Sequence, residues 1–313
     1  MPANLTPAYF KAEQWYRSAA TPEEKILALE EMLAVMPKHK GTDKLKADLR
    51  QKLSALKEGE EKRRKSGGVD IFHVQRSGAG QIVLLGMPNT GKSSIVGLLT
   101  DAKVHIAEFP FATNAPVPGV MHFEDVPIEL VDMPPITVDF SMPGQVGTYR
   151  NCDIIAIVID LSADVDEQWM ACLDFLETRN LLPDKKTICI CTKSDIAADG
   201  AIDKVKQLCN NRFEITVVSV DSGEGMGELP KQLFSQLHII RVYAKPPGKR
   251  PDMNEPFTIP EGSTVHDLAV KIHRDLAEKL KHARIWGTGV YEGQSVQKNH
   301  VLNDKDIVEL HFS

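Results

Sequence analysis

At 313 residues the chain has room for one large domain and one or two small ones. Its net charge of −6 excludes a general affinity for nucleic acid from total charge alone. No run of about 18 apolar residues and no N-terminal apolar h-region is present, so neither a membrane span nor a signal peptide is expected, and the expected location is the cytoplasm. The charge is uneven: residues 1–65 carry +4, residues 66–238 carry −11 and residues 239–313 carry +1. The basic excess from Lys38 to Lys65 is either a solvated face or an RNA-facing flank. Cys152, Cys172, Cys189, Cys191 and Cys209 lack zinc-ligand spacing, and buried reduced thiols are expected.

In chain order, Thr21-Pro22-Glu23-Glu24 starts a helix with a cap, a proline in the first turn and Glu at N3. This helix runs to about Val35. Pro37 and Gly41 break it, and a second helix spans about Asp43 to Lys65. Leu45, Leu49, Leu53 and Leu56 form a stripe suited to packing an antiparallel helical hairpin. Ser66-Gly67-Gly68 closes this section.

Residues 69–238 alternate strand and helix in the manner of a doubly wound α/β domain. Strands are expected at 81–86, 119–124, 127–132, 153–160, 186–192 and 214–220. Helices are expected near 92–100, 165–178, 200–210 and 227–237. The first strand leads into Gly86-Met87-Pro88-Asn89-Thr90-Gly91-Lys92-Ser93-Ser94, a GxxxxGK[ST] phosphate loop. Backbone N–H groups around Asn89, Gly91 and Lys92 can wrap a phosphate at a helix N-terminus. Lys92 can reach the β- and γ-phosphates and Ser93 can ligate Mg²⁺, with Thr90 and Ser94 completing the loop. Asp132 ends the 127–132 strand and suits a water-mediated Mg²⁺ role. Upstream, Thr113 in Phe109-Pro110-Phe111-Ala112-Thr113 offers a switch hydroxyl for the same ion, against the plainer reading of a loop threonine.

Kinases, ATPases and GTPases share such loops, and the next strands discriminate among them. Thr192-Lys193-Ser194-Asp195 ends the 186–192 strand and resembles the [NT]KxD guanine motif. A buried Asp195 carboxylate can accept from guanine N1–H and its exocyclic amine, a pair that adenine does not offer. Lys193 would lie across the base. Ser219-Val220-Asp221 follows the next strand, where guanine O6 meets a backbone amide; Val220 stands in place of the usual alanine. An ATP-using P-loop enzyme is the reading that Asp195 argues against.

From about His238 a third section begins with a strand at Ile239–Val242. The turn-rich Lys245-Pro246-Pro247-Gly248-Lys249-Arg250-Pro251 segment follows. Thr264-Val265-His266-Asp267 caps a helix, and an alternating strand ends at Phe312. Strand, strand, helix and strand in about 75 residues suggest a small β-grasp module.

Phe109–Thr113 followed by Pro116-Val117-Pro118-Gly119-Val120 resembles the switch segment of Obg/DRG-type GTPases. Pro37–Thr42 resembles the stretch preceding their GTPase domain, and Arg241–Lys249, Gly262–Val265, His273–Leu276 and Ala283–Gly287 resemble the TGS domain that they carry. The resemblance implies an α/β fold: a P-loop GTPase domain at 69–238, an N-terminal helical hairpin at 1–68 and a C-terminal β-grasp (TGS) domain at 239–313. It implies slow GTP hydrolysis, GTP/GDP and Mg²⁺ as ligands, no membrane, and a nucleotide-dependent switch on the ribosome or another RNA-containing particle. A GTP-binding scaffold with negligible turnover is the alternative.

Two departures stand out. The family's DxPG reads Asp132-Met133-Pro134-Pro135, and Pro135 has no N–H for a γ-phosphate; either a neighbouring amide such as Ile136 substitutes, or the second switch senses GTP poorly. Asp132 and Thr192 are 60 positions apart, too close for the insertion of eukaryotic DRG-like chains, which points to a short, prokaryote-like form. No glutamine follows the second switch, where Ile136 stands, so no catalytic residue is assigned. Asn89 either shapes the loop or, as in several related GTPases, helps hold K⁺ in place of an arginine finger. His105 and His122 flank the first switch and are expected to face solvent or sheet.

Overall fold

The computed structural model describes residues 7–18, 22–36, 72–102, 115–137, 144–182 and 186–312, with Thr42, 45–46, 48–54 and 56. The chain divides into two compact units, Met1–His73 and Val74–Ser313. The first contains α1 (Pro7–Ser18) and α2 (Pro22–Ala34), and residues 48–54 are also helical. Tyr9, Ala12, Leu29, Met32, Met36 and Leu49 form its buried cluster, and Leu45, Leu53 and Leu56 pack against it. The leucine stripe therefore faces inward, as its i, i+4 spacing requires. Helix α1 is an addition to the hairpin expected from sequence.

The second unit holds two sheets. The larger has the order β2-β3-β1-β4-β5-β6, with β1 (Gln81–Leu85), β2 (Val117–Phe123), β3 (Val126–Asp132), β4 (Ile154–Asp160), β5 (Lys186–Thr192) and β6 (Glu214–Val217). β2 and β3 form an antiparallel hairpin from Val117↔Asp132 to Phe123↔Val126, and the other pairs are parallel. β1 and β4 are buried at every position, which is why they read as unbroken apolar runs rather than alternations. The helices are α3 (Lys92–Leu99), α4 (Gln145–Asn151), α5 (Val165–Thr178), α6 (Ala201–Cys209) and α7 (Leu229–Gln236). Ile82, Leu84, Ile95, Leu130, Ala156, Val158, Ile190 and Leu233 are among the residues that fill the space between sheet and helices. Chain connections diverge on either side of β1, so the carboxyl end of β1 opens onto a switch-point crevice, where open α/β sheets hold ligands.

The smaller sheet has the order β10-β9-β11-β7-β8. Its strands are β7 (Ile239–Ala244), β8 (Phe257–Pro260), β9 (Leu280–Trp286), β10 (Gln294–Val296) and β11 (Asp306–Phe312). Helix α8 (Val265–Ile272) begins with a capping box between Thr264 and Asp267 and lays Val265, Leu268 and Ala269 on one sheet face. A short α9 (Arg274–Glu278) follows. The sheet has five strands rather than the three expected, because β9 and β10 are short of a clean alternation. A register shift at His311/Phe312 disturbs the β9–β11 pairing.

All five cysteines are free and buried. Cys189 and Cys191 share a face, with sulfurs 3.9 Å apart, and no metal-holding cluster of His, Cys, Asp or Glu occurs among the described residues. No helix among them is long and apolar enough to cross a membrane.

Candidate nucleotide site

The loop between β1 and α3 depends on its glycines. A Cβ on Gly86 would come within 2.7 Å of Val158 O and 2.9 Å of Thr90 Oγ1. Gly91 has φ +88°, open to glycine and costly for other residues. Asn89 has φ +62°, a left-handed position that asparagine occupies more readily than most residues. This geometry gives Asn89 a loop-shaping role without reference to any ion.

Lys92 is buried and its ammonium lies inside the loop, donating to Met87 O at 2.7 Å and Gly86 O at 3.0 Å, with Thr90 Oγ1 at 3.4 Å. Burial pushes its pKa down to about 8, against Asp132 and Cys172, which pull it up. An arriving phosphate would favour the charged form again. Helix α3 has no side-chain cap and no acidic residue in its first turn. The amides of Asn89, Gly91 and Lys92 donate to no acceptor among the described residues. Unused N–H groups, a buried ammonium and the positive end of a helix fit a polyphosphate.

Ser93 Oγ donates to Asp132 Oδ2 at 2.6 Å, and Asp132 is wholly buried. A hydroxyl and a carboxylate beside the phosphate loop form a hard oxygen pair of the kind Mg²⁺ takes. Thr113 and His105 lie outside the described residues. Ser94 is half-buried and makes no side-chain hydrogen bond among them. His122 is exposed on β2.

The segment after Asp132 is braced. Met133 and Ile136 are fully buried, and Ile136 N–H donates to Gly86 O at 3.1 Å. The amide proposed from sequence to replace that of Pro135 is thus committed to the phosphate loop itself. From α4, Gln145 Nε2 donates to Pro134 O at 3.0 Å, and the buried Tyr149 hydroxyl donates to Leu84 O at 3.1 Å. Helix α4 and Gln145 were missed in the sequence because Gln145-Val-Gly-Thr-Tyr-Arg-Asn carries no apolar period.

The second half of the site comes from β5 and the loop after β6. Thr192 Oγ1 lies 2.8 Å from Thr90 O and 3.2 Å from Ile159 O, which ties the guanine-type motif to the phosphate loop. Lys193 adopts φ +57° and its ammonium is 2.5 Å from Asp160 Oδ2. Gln168 in turn accepts from Asp160 N at 2.8 Å. Asp160 carries a legible signal, a carboxylate ending an otherwise apolar strand. Ser219 Oγ donates to Asp195 Oδ1 at 2.5 Å, and Ser222 N–H donates to Ser219 Oγ at 3.1 Å. The Val220 amide has no acceptor among the described residues. Asp195 is exposed, not buried as its sequence reading supposed, and sits in the short 3-10 turn Ser194–Ile196 after β5.

Residues 81–193 match the family model described as a 50S ribosome-binding GTPase, and residues 240–311 match that of the TGS domain. The molecule is therefore a P-loop GTPase-fold protein carrying a C-terminal TGS domain. Along its length it is similar to GTP-binding proteins of the DRG type. It is 25% identical to an uncharacterized GTP-binding protein of Methanocaldococcus jannaschii, covering 92% of each chain. It is 24% identical to Developmentally-regulated G-protein 2 of Arabidopsis thaliana, over 92% of this chain and 90% of that one. Ribosome-interacting GTPase 1 of Saccharomyces cerevisiae is 24% identical over 93% of this chain and 99% of that one. The first of these alignments runs over 363 positions, so the relative carries residues that this shorter chain lacks. Among solved structures, the G domain of the T. maritima FeoB iron transporter matches with TM-score 0.39 and 25% identity, covering 50% of this chain and 98% of that one. An Era variant of Aquifex aeolicus bound to GDP·AlF4⁻ matches with TM-score 0.44 and 20% identity over 67% and 73%.

Proposed function

We propose that the protein binds and slowly hydrolyses GTP with Mg²⁺, and uses the nucleotide state to control docking on a ribosome or another RNA-containing cytoplasmic particle. In this reading residues 1–68 form a helical flank, 69–238 the GTPase domain and 239–313 the TGS domain. The observation that carries it is the pairing of Asp195 with Ser219 beside Lys193, tied through Thr192 to the loop holding Lys92. Asn89 to Ser94 would hold the phosphates. Thr192, Lys193, Asp195, Ser219 and the Val220 amide would hold guanine. Ser93, Asp132 and Thr113 would hold Mg²⁺, which neutralises phosphate charge when bound. The name of the S. cerevisiae relative motivates the particle.

Competition among GTP, GDP, ATP and xanthosine triphosphate for the full chain tests the ligand. Asp195→Asn is expected to move preference toward the xanthosine nucleotide; unchanged GTP preference overturns the guanine assignment. Co-sedimentation with ribosomal particles should depend on nucleotide and salt, and identical behaviour with GTP, GDP and no nucleotide overturns the switch.

A second reading, a GTP-binding scaffold with negligible turnover, draws on Pro135 and on the commitment of the Ile136 amide to Gly86 O. Single-turnover phosphate release separates the two. K⁺ stimulation through Asn89 is tested by turnover in KCl against NaCl, and equal rates leave Asn89 with its loop-shaping role alone.

A further inference from the structure

We propose that Asp160, held in a socket built by Ser162 and Gln168, is a positioning residue for the base-binding half of the site: it fixes the Lys193 side chain as a platform for the nucleobase and keeps the lysine charge off the phosphates. The inference deepens the guanine reading above and rests on it for the identity of the base.

The socket begins at the strand ends. β4 and β5 pair in parallel with Asp160 beside Thr192, and the Leu161 N–H donates to Thr192 O at 3.1 Å. Lys193 is the next residue, and its left-handed φ of +57° turns the chain out of β5. Its side chain crosses to the neighbouring strand, about 4.8 Å away in a sheet, and the ammonium reaches Asp160 Oδ2 at 2.5 Å. The other carboxylate oxygen, Oδ1, accepts from Ser162 N–H at 2.8 Å and from Ser162 Oγ at 2.6 Å. Gln168, buried on α5, holds the main chain of the same residue. Its Oε1 accepts from Asp160 N–H at 2.8 Å, and its Nε2 donates to Asp160 O at 2.9 Å and to Asp164 O at 3.0 Å. Both carboxylate oxygens and both main-chain groups of Asp160 thus have partners, which leaves the carboxylate one orientation.

A lysine at a strand end is ordinarily a mobile cation on a flexible four-carbon stem. Lys193 is held at both ends, by its backbone turn and by its ammonium, so the stem between them is a fixed apolar rod. Its side chain keeps 32% of its surface open, against 8% for that of Asp160. The stem is therefore accessible to a ligand while the group that pins it is not. The rest of the motif is braced separately: Ser219 Oγ donates to Asp195 Oδ1 at 2.5 Å, and Ser194 Oγ donates to Glu224 Oε2 at 2.6 Å. A base that lies on the stem meets a side chain already ordered. Leaving one long side chain to be ordered on binding weakens affinity by about two- to tenfold.

Adjacent residues of the motif are thereby tied in different directions. Thr192 is joined to the phosphate loop through Thr90 O, and Lys193 to β4 through Asp160. Asp160 also cancels the charge of Lys193, so the cation left for the phosphates is Lys92, inside the loop. An ion pair that served only to close the sheet would call neither for a lysine of the base motif nor for an open stem. Removing the Asp160 charge should act on the base side of the site and leave Lys92 and the amides of the phosphate loop as they are.

Calorimetric titration of the full-length chain, in Mg²⁺, with GTP, GDP, ATP and inorganic tripolyphosphate tests the assignment. Asp160→Asn is expected to weaken GTP and GDP binding about fivefold. Tripolyphosphate binding should be equal or tighter, because the freed ammonium can turn toward anions. In a Lys193→Met background, which keeps the stem without its charge, Asp160→Asn should add no further loss. Nucleotide affinity unchanged by Asp160→Asn, a parallel fall for tripolyphosphate, or a loss that persists with Lys193→Met overturns the proposal. Where Asp160→Asn fails to fold, Ser162→Ala decides, on an exposed residue. A loss of about twofold for nucleotides alone then sustains the proposal, and equal affinity overturns it. Failure of the guanine reading looks different. Wild-type affinity for ATP equal to that for GTP removes guanine, while a loss that extends to ATP in Asp160→Asn still sustains the platform. A wild-type chain that binds tripolyphosphate as tightly as either nucleotide overturns both.

Discussion

Thr192 shows how one side chain serves two neighbours. Its motif was legible from its place at the end of an apolar strand and from Asp195 three residues on. Its hydrogen bond to Thr90 O was not, because the two residues are 102 positions apart and meet only once β1, β4 and β5 lie side by side. Thr192→Val keeps the shape but leaves buried carbonyls without a donor. A loss of about 1–2 kcal/mol in urea unfolding is expected, with weaker guanine-nucleotide binding because the phosphate loop loses its brace. Stability and affinity equal to wild type would show that water replaces the hydroxyl at no cost. Pro135 is a second residue whose meaning was half legible. Its missing N–H is read directly from the sequence, but the use of the Ile136 amide by Gly86 O depends on the loop's path. Pro135→Gly restores a free amide at that position. It is expected to raise the ratio of GTP-analogue to GDP affinity, measured by competition; an unchanged ratio would mean that the second switch does not read the γ-phosphate through this amide.

Among the elements, those with a strong period or a cap were legible, and those that owe their form to partners were not. Helix α5 is observed at the bounds expected from sequence, and the structure adds an Asp164 side-chain cap at its start. Strand β9 was missed since Leu280, Ala283 and Ile285 are buried out of alternation, a consequence of the irregular pairing with β11. Helix α8 was visible through Thr264 and Asp267, and the structure completes the capping box: Thr264 N–H donates to Asp267 Oδ2 at 2.8 Å, and Asp267 N–H donates to Thr264 Oγ1 at 3.3 Å. The Thr264 amide and hydroxyl hold the Asp267 carboxyl below its usual pKa. A depressed carboxyl contributes stability above its unfolded value, about 3.9, and loses that contribution as pH falls through the folded value. Thr264→Ala is therefore expected to cost about 1 kcal/mol at neutral pH, with the gap to wild type closing below about pH 4. Thermal melts of both proteins across that range provide the check, and a gap independent of pH would assign the cost to packing rather than to the cap.

At the scale of the whole molecule, GTPase domain and TGS domain form one compact unit, although the sequence suggests a boundary near His238. Composition could not show the joint, because it is built from single residues far apart in the chain. On the GTPase side Phe123 and Phe234 meet with centroids 4.9 Å apart, and Ile239 at the start of β7 packs against the same core. Above the two rings lies Arg241, its side chain buried, bound to Asp304 of its own domain and to Glu124 and Asp125 across the joint. Lys305 adds a second contact to Glu124 at 2.9 Å. Removing one partner from a buried charge cluster strands the others. Arg241→Ala is expected to cost about 3 kcal/mol, the lower part of the usual range because Glu124 and Asp304 remain partly in solvent. One unfolding transition should also become two, as the TGS domain is released first. The acid side supplies the control. Hydrogen bonds from Lys305 and then Arg241 hold Glu124 below its usual pKa. Burial pushes Asp304 up, but the Arg241 hydrogen bonds and charge outweigh it, and the net shift is downward. Both carboxylates are depressed in the folded state, so their contribution is complete above about pH 4.5 and is lost as pH falls below it. The difference between wild type and Arg241→Ala should therefore shrink as the pH is lowered, and the wild-type melt should itself begin to split. A variant that melts in one step with the wild-type midpoint at neutral pH would assign the joint to the packing of Ile239 on the GTPase core, and leave the ion cluster as a solvated accessory.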